Sequence, residues 1–259
     1  MKKVEFEDGS VILADADGHG SKACPFSKSG SGNAVNVFCK VMQEFYTGYK
    51  DDLELLLTYL NREGDTKVAQ AVDEEWKRRV LIAHTKNKRD VPHTSDGEKD
   101  KAEIYKEYGT TLVGLMITPI FLFAFQIGDG DITYVDNTGV EEVLAADKIL
   151  GTETHSLSKA DAWKKAITIV RRRTVDEKTP ALFMLSTDGF ANSYKNGDEF
   201  KKTCTDYFEM IQQHGCEVIG ANLKSWLCET SEQGCGDDIT LLMCYIAKDA
   251  GESEGKKNE

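Results

Sequence analysis

The sequence predicts an α+β protein whose sheets are covered by helices. Three observations predict it: a hairpin signal near the start, a run of strand-like segments in the middle, and amphipathic stretches on both sides of that run. Residues 4–7, the turn Asp8-Gly9-Ser10 and residues 11–14 read as a hairpin, because alternation is broken by a turn signal. A Gly/Ser stretch, residues 27–33, reads as a capping loop with Ser31 or Asn33 as N-cap. It opens a helical stretch over 34–47 that places Val37, Phe38, Val41, Met42 and Phe45 on one face. Residues 53–60 and 68–83 are also helical, the second with Val68, Val72, Trp76 and Val80 in one stripe. Residues 86–105 are highly charged and weakly apolar, so they read as an exposed connection. Strands are expected over 111–117, 120–127, 132–136 and 142–145, a helix over 160–173 and a strand over 181–185. Helices over 200–214 and 221–228, a strand over 239–246 and a charged, disordered tail over 248–259 complete the reading.

At 259 residues the chain can bury a substantial core. Its 44 acidic residues outnumber the 32 basic ones, a balance that disfavours nucleic acid and anionic membranes as partners. The seven cysteines include no C-x-x-C pair, so a zinc ribbon or thioredoxin-type site is not indicated, and their irregular spacing suits reduced thiols in a cytoplasm. The N-terminal residues lack the apolar region of a signal peptide, and residues 117–127 are too short and too interrupted to span a bilayer. A soluble, cytoplasmic protein is the expectation.

Short acidic-glycine signatures recur in order: Ala16-Asp17-Gly18-His19-Gly20, Gly128-Asp129-Gly130-Asp131, Ser186-Thr187-Asp188-Gly189 and Gly236-Asp237-Asp238-Ile239-Thr240. Three follow a strand-like run and the fourth leads into one. Carboxylates at the ends of neighbouring strands can converge, and hard divalent cations take such oxygen ligands. The pattern therefore reads as a carboxylate-built metal site for hydrolytic chemistry. Each Asp-Gly alone is equally an ordinary turn. Asp237-Asp238 is harder to read that way, since adjacent carboxylates beside a buried strand repel each other. His19, between two glycines, has the near-neutral pKa of a general acid, or is simply an exposed turn histidine. An EF-hand beginning at Asp15 is excluded because Phe26 occupies the position that needs the bidentate Glu.

In this order the motifs resemble those of the metal-dependent protein phosphatases, the type 2C serine/threonine family, over residues 11–247. Asp17-Gly18-His19-Gly20 resembles the family's D-G-H-G signature, Gly109-Thr110-Thr111 its G-T-T strand start, and Gly128-Asp129 the opening of its G-D-S-R segment. Thr187-Asp188-Gly189 stands where the family has S-D-G or T-D-G, and Gly236-Asp237-Asp238-Ile239-Thr240 resembles its G-D-N-x-T ending. Residues 149–154 with Ser156-Leu157 look like the bacterial branch. The resemblance implies a single domain over residues 1–247, an α-β-β-α sandwich of two antiparallel sheets flanked by helices. It also implies a binuclear Mn²⁺ or Mg²⁺ centre with a weak third ion. By that resemblance Asp17 bridges two metals, the Gly18 carbonyl joins the second, Asp188 and Asp237 hold the first, and Asp129 with Asp188 holds the third. A metal-bridged hydroxide attacks phosphorus, His19 protonates the leaving oxygen, and the partner is a phosphoprotein made by a serine/threonine kinase.

The chain departs from the family pattern in three places. Asp238 replaces an Asn, and Asn192 stands where many members have an acid for the third metal. The family's first strand, with a phosphate-binding Arg and an acidic ligand of the second metal, has no counterpart upstream of the hairpin, so a truncated start or a compromised site is expected. Two other readings follow. One is a pseudophosphatase acting as a binding module. The other is a haloacid dehalogenase-type enzyme, in which Asp15-Ala16-Asp17-Gly18 would supply a phosphorylated Asp15; against that, the final acidic pair leads straight into a strand.

Overall fold

The structure, a computed structural model, describes residues 1–93, 95–97, 100–145, 154–173 and 180–247. Strands β1 (Lys2–Glu5) and β2 (Val11–Asp15) form the expected hairpin. They are followed by α1 (Ser27–Tyr49), α2 (Leu53–Glu63), a π turn at Gly64–Val68, α3 (Ala69–Lys86) and α4 (Lys101–Lys106). The middle of the chain is β3 (Leu112–Ile117), β4 (Phe121–Ile127), β5 (Asp131–Asp136) and β6 (Gly139–Leu144). A 3₁₀ turn at Ala162–Lys165, β7 (Ile167–Arg172), β8 (Ala181–Ser186), α5 (Asp188–Asn192), α6 (Gly197–His214), α7 (Cys216–Gln233) and β9 (Leu241–Ile246) complete it.

The strands make two antiparallel sheets, in the orders β1-β2-β3-β4-β7 and β6-β5-β8-β9. Strands β3, β4 and β8 are buried at every position, which requires a layer on each face. Alternation decides which side chain meets which layer. In β4, Phe121, Phe123 and Phe125 face the helices α1–α3, while Leu122 and Ala124 face the other sheet. In β8, Phe183 and Leu185 enter the space between sheets, while Leu182 and Met184 pack with Phe208 and Ile211 of α6. Three apolar layers thus separate four layers of secondary structure, the α-β-β-α sandwich. Each fully buried Leu or Phe contributes roughly 1.5–3 kcal/mol relative to exposure.

Three sequence expectations are corrected. The stretch expected as a helix over 160–173 is a short 3₁₀ turn followed by β7, which pairs with β4 from Phe121↔Arg172 to Gln126↔Ile167. The β-branched run Ile167-Thr168-Ile169-Val170 favours a strand, and the open edge of β4 supplies the partner. The Gly/Ser stretch is not a capping loop: α1 starts at Ser27, and its N-cap Phe26 makes no side-chain cap bond. Gly30 is needed there for packing. A Cβ on Gly30 would lie 1.9 Å from the Tyr108 carbonyl oxygen, and the Gly30 carbonyl accepts the Trp76 Nε1–H at 3.0 Å. The segment read as an exposed connection contains α4, capped by Asp100 and anchored by buried Ile104. The readings of residues 149–153 and of the tail 248–259 fall outside the described residues.

Candidate metal centre

The predicted acidic residues all sit at the ends of strands, and backbone bonding fixes most of them. Gly18 bridges to Thr110 as an antiparallel extension of the β2–β3 pair. The Asp17 carbonyl accepts the Thr111 N–H at 2.9 Å and the Thr110 hydroxyl at 2.5 Å, and the Asp17 N–H donates to Thr111 Oγ1 at 3.2 Å. The His19 N–H donates to the Gly109 carbonyl at 3.1 Å. Gly109 has no room for a side chain, since a Cβ would lie 2.5 Å from His19 Cδ2. The Gly-Thr-Thr segment is therefore the clamp that orients Asp17, Gly18 and His19.

Asp129 lies in the β4–β5 turn, between Gly128 at φ +110° and Gly130. A Cβ on Gly130 would meet the Ser186 carbonyl oxygen at 2.8 Å, and Asp131 pairs with Ser186. This turn carries the chain from one sheet to the other beside the end of β8. Thr154 Oγ1 donates to Asp129 Oδ2 at 2.7 Å, a contact without a sequence signal. Asp188 opens α5 directly after β8. The Thr187 N–H donates to the Thr240 carbonyl at 3.1 Å, and the Thr240 N–H to Thr187 Oγ1 at 3.0 Å, tying the 236–240 loop to Asp188. A Cβ on Gly189 would lie 2.6 Å from the Asp238 carbonyl oxygen and 3.4 Å from Asp237 Cβ. Only glycine lets the two segments approach this closely.

These carboxylates lie close enough to repel one another. Burial pushes the Asp17 carboxyl up to about 6, with Asp188, Asp237 and Asp129 adding repulsion and the Gly18 N–H offsetting part of it. The Asp188 carboxyl is raised by burial first, then by Asp129 and Asp237. Like charges gathered in a half-buried place destabilise each other unless a cation or a proton intervenes. Asn192 donates its Nδ2–H to Asp188 Oδ2 at 3.1 Å, so its amide supports a carboxylate without adding negative charge. Asp238 is exposed and donates its N–H to Asp237 Oδ1 at 2.9 Å. Sequence reasoning missed Cys235, whose thiol lies 3.5 Å from the Gly189 carbonyl and 3.3 Å from Ser193 Oγ.

Asp15 stands apart from this group. It is fully buried, with Oδ1 accepting the Ala16 N–H at 2.9 Å, and burial raises its carboxyl. A phosphorylated nucleophile must be reached by substrate, so the dehalogenase reading does not survive.

A family model described as protein phosphatase 2C matches residues 2–228. This chain belongs to the protein phosphatase 2C family. Its fold recurs in a bacterial serine phosphatase at TM-score 0.58 and 12% identity, over 96% of this chain and 91% of that one. The serine/threonine phosphatase Stp1 from Staphylococcus aureus aligns at TM-score 0.56 and 11% identity, covering 95% and 88%. The Mycobacterium tuberculosis serine/threonine phosphatase PstP/Ppp aligns at TM-score 0.53 and 12% identity, covering 95% and 92%. Similarity at this level shows the fold. No curated protein matches the sequence.

Phosphatase 2C proteins are metal-dependent, so the fit of these residues to a cation matters. Among the described residues, no group of three or more His, Cys, Asp or Glu side chains is already gathered tightly enough to hold an ion. The donor set nevertheless fits. It is all oxygen, drawn from separate strand ends, and it carries the mutual repulsion that a divalent cation relieves. No helix among the described residues is long and apolar enough to cross a membrane.

Proposed function

We propose that this phosphatase 2C chain is a Mn²⁺- or Mg²⁺-dependent phosphoserine/phosphothreonine protein phosphatase. The observation that carries the reading is the repulsion focused on Asp17 by Asp188, Asp237 and Asp129, which come from different segments in the order the family uses. In this reading Asp17 with the Gly18 carbonyl, and Asp188 with Asp237, would hold two cations, and Asp129 with Asp188 would hold a weaker third. Bound divalent ions supply Lewis acidity toward phosphoryl oxygens and make water nucleophilic at neutral pH. The Thr110 and Thr111 bonds fix the Asp17 main chain, which limits the movement its carboxylate needs to reach a cation. His19, with its ring against Gly109 and one residue from the proposed ligands, delivers a proton to the departing serine or threonine oxygen. The cysteines are all free, which suits a cytoplasmic setting, and the partner class is a phosphoprotein, the product of a serine/threonine kinase.

The direct test is phosphate release from a phosphothreonine peptide before and after EDTA dialysis. Activity that needs added Mn²⁺ or Mg²⁺ supports the reading. Turnover that survives chelation would overturn it.

A further inference from the structure

Far from the carboxylates, a groove of about 350 Å³ opens where the end of α1 meets α2 and the π turn. Its size falls within the range of ligand-binding clefts. Tyr49 and Tyr59 line it, with ring centroids 5.9 Å apart and planes 28° from parallel. Leu55 also lines it and is 52% exposed, so the apolar surface extends toward solvent. Thr58, Glu63 and two exposed cations, Arg62 and Lys67, complete it. Neither cation has an ion-pair partner among the described residues. In a chain with 44 acidic and 32 basic residues, a groove whose lining carries a net positive charge beside exposed apolar surface is conspicuous. Glu63 also lines the groove and accepts from Thr66 Oγ1 at 3.4 Å, so the lining sets two cations against one carboxylate. Lys67 is carried by the π turn Gly64–Val68, a backbone form that is rare and concentrated at functional sites.

We propose that this groove docks an acidic segment of a partner protein, which lays an aromatic or large aliphatic side chain against Tyr49 and Tyr59 and sets carboxylates against Arg62 and Lys67. Charge complementarity selects the acidic partner. Shape selects a polypeptide over a small molecule. A pocket for a small ligand encloses most of its occupant, whereas here Leu55 leaves the apolar surface open and continuous with solvent. Aromatic anchors with a charged rim are how peptides are held in grooves between helices. The groove lies at the far end of α1, whose first turn touches Gly18 through Ser27. A helix of 23 residues is about 34 Å long, so an occupied groove leaves the carboxylate end free.

The test uses the full chain and fluorescein-labelled heptapeptides with a central Phe, Tyr, Trp or Leu flanked by Asp and Glu, read by fluorescence anisotropy. Saturable binding is expected for at least one peptide. It should weaken about tenfold in an Arg62→Glu/Lys67→Glu variant and weaken further with salt. It should also weaken in Tyr59→Ala and disappear when the central residue is Ala or the acids are amides. Both cations are exposed, so the charge variant retains the native circular dichroism and the p-nitrophenyl phosphate turnover of the parent. Three results would overturn the proposal: no binding by any peptide at about 1 mM, binding unchanged in the charge variant, or N-acetylphenylalanine competing as tightly as the peptide, which marks a small-molecule pocket.

Discussion

At the scale of single residues, the proposed chemistry and its dependence on pH turn on Asp17. Its folded-state carboxyl, at about 6, lies above the ordinary value of 3.8. The folded chain therefore keeps a proton that the unfolded chain has released. Without metal, stability should be greatest below about pH 4 as far as this group is concerned, and should fall as pH rises through about 6. Urea unfolding of EDTA-treated protein at pH 5 and pH 7.5 reads this directly, and Asp17→Asn should flatten the difference. An Asp17→Asn chain with the parental pH slope would contradict the assignment. Metal binding must displace that proton, so Mn²⁺ affinity should drop below pH 6, with proton release visible in calorimetry across buffers. Asp188→Asn and Asp237→Asn should each weaken Mn²⁺ binding while leaving the metal-free protein at least as stable as the parent. His19 calls for a different comparison. Replacing it with Asn should lower kcat on a phosphothreonine peptide by roughly 10²–10⁴-fold, yet affect p-nitrophenyl phosphate far less, because that leaving group needs no proton. Equal losses on both substrates would remove the acid role. These residues were legible in the sequence because each sits in a short glycine-flanked signature. Thr154 and Cys235 were not, because a lone hydroxyl or thiol has no spacing that announces its neighbour across the fold.

Secondary-structure elements were legible where a pattern spans many residues and obscure where tertiary contact decides. Strands β3, β4 and β8 are continuous apolar runs and were found within a residue or two. The β7 region was misread because Ala160, Trp163, Ala166, Ile167 and Val170 also satisfy a helical period. The partner that settles the matter, β4, lies some 45 residues earlier (Phe121 against Arg172 at one end, Gln126 against Ile167 at the other). The start of α1 was misread for the opposite reason: its glycines signal a loop locally, yet Gly30 allows a close approach of the Tyr108 backbone to the helix. That difference can be measured within one helix. Gly30→Ala places a Cβ 1.9 Å from a backbone oxygen and should destabilise by at least about 1–3 kcal/mol. Gly32→Ala, which meets open space in the same helix, should be neutral or stabilise by roughly 0.5–1 kcal/mol. Denaturant midpoints for the two variants decide it. Similar midpoints would mean that Gly30 is not a packing glycine.

For the whole molecule, the α-β-β-α order was legible only through the succession of elements and motifs, since nothing local states which strands pair across the chain. Two sheets of five and four strands result, with an acidic cluster at one end and a net charge of −12. A divalent ion bound only by the folded state should raise the melting temperature. At a concentration about a hundredfold above Kd, the gain is about 2.7 kcal/mol, or roughly 5–10 °C for a chain of this size. Differential scanning fluorimetry with Mn²⁺ against an equal ionic strength of NaCl separates site binding from general screening. A shift of the same size with NaCl would mean that the cluster merely responds to salt.

The carboxylates are not all borne by one sheet. Asp17 extends from β2, Asp188 and Asp237 flank β8 and β9, and Asp129 rides the turn that crosses between them. An ion shared by these groups would act as a rivet through the seam of the sandwich, adding to the apolar contacts and the buried Gln126–Gly130 hydrogen bond that hold the two plates at that end. Chelation should therefore be felt as mechanical slack: amide hydrogens of β2 and β8 nearest the cluster should exchange faster once the rivet is drawn, while the far ends of the same strands keep their protection.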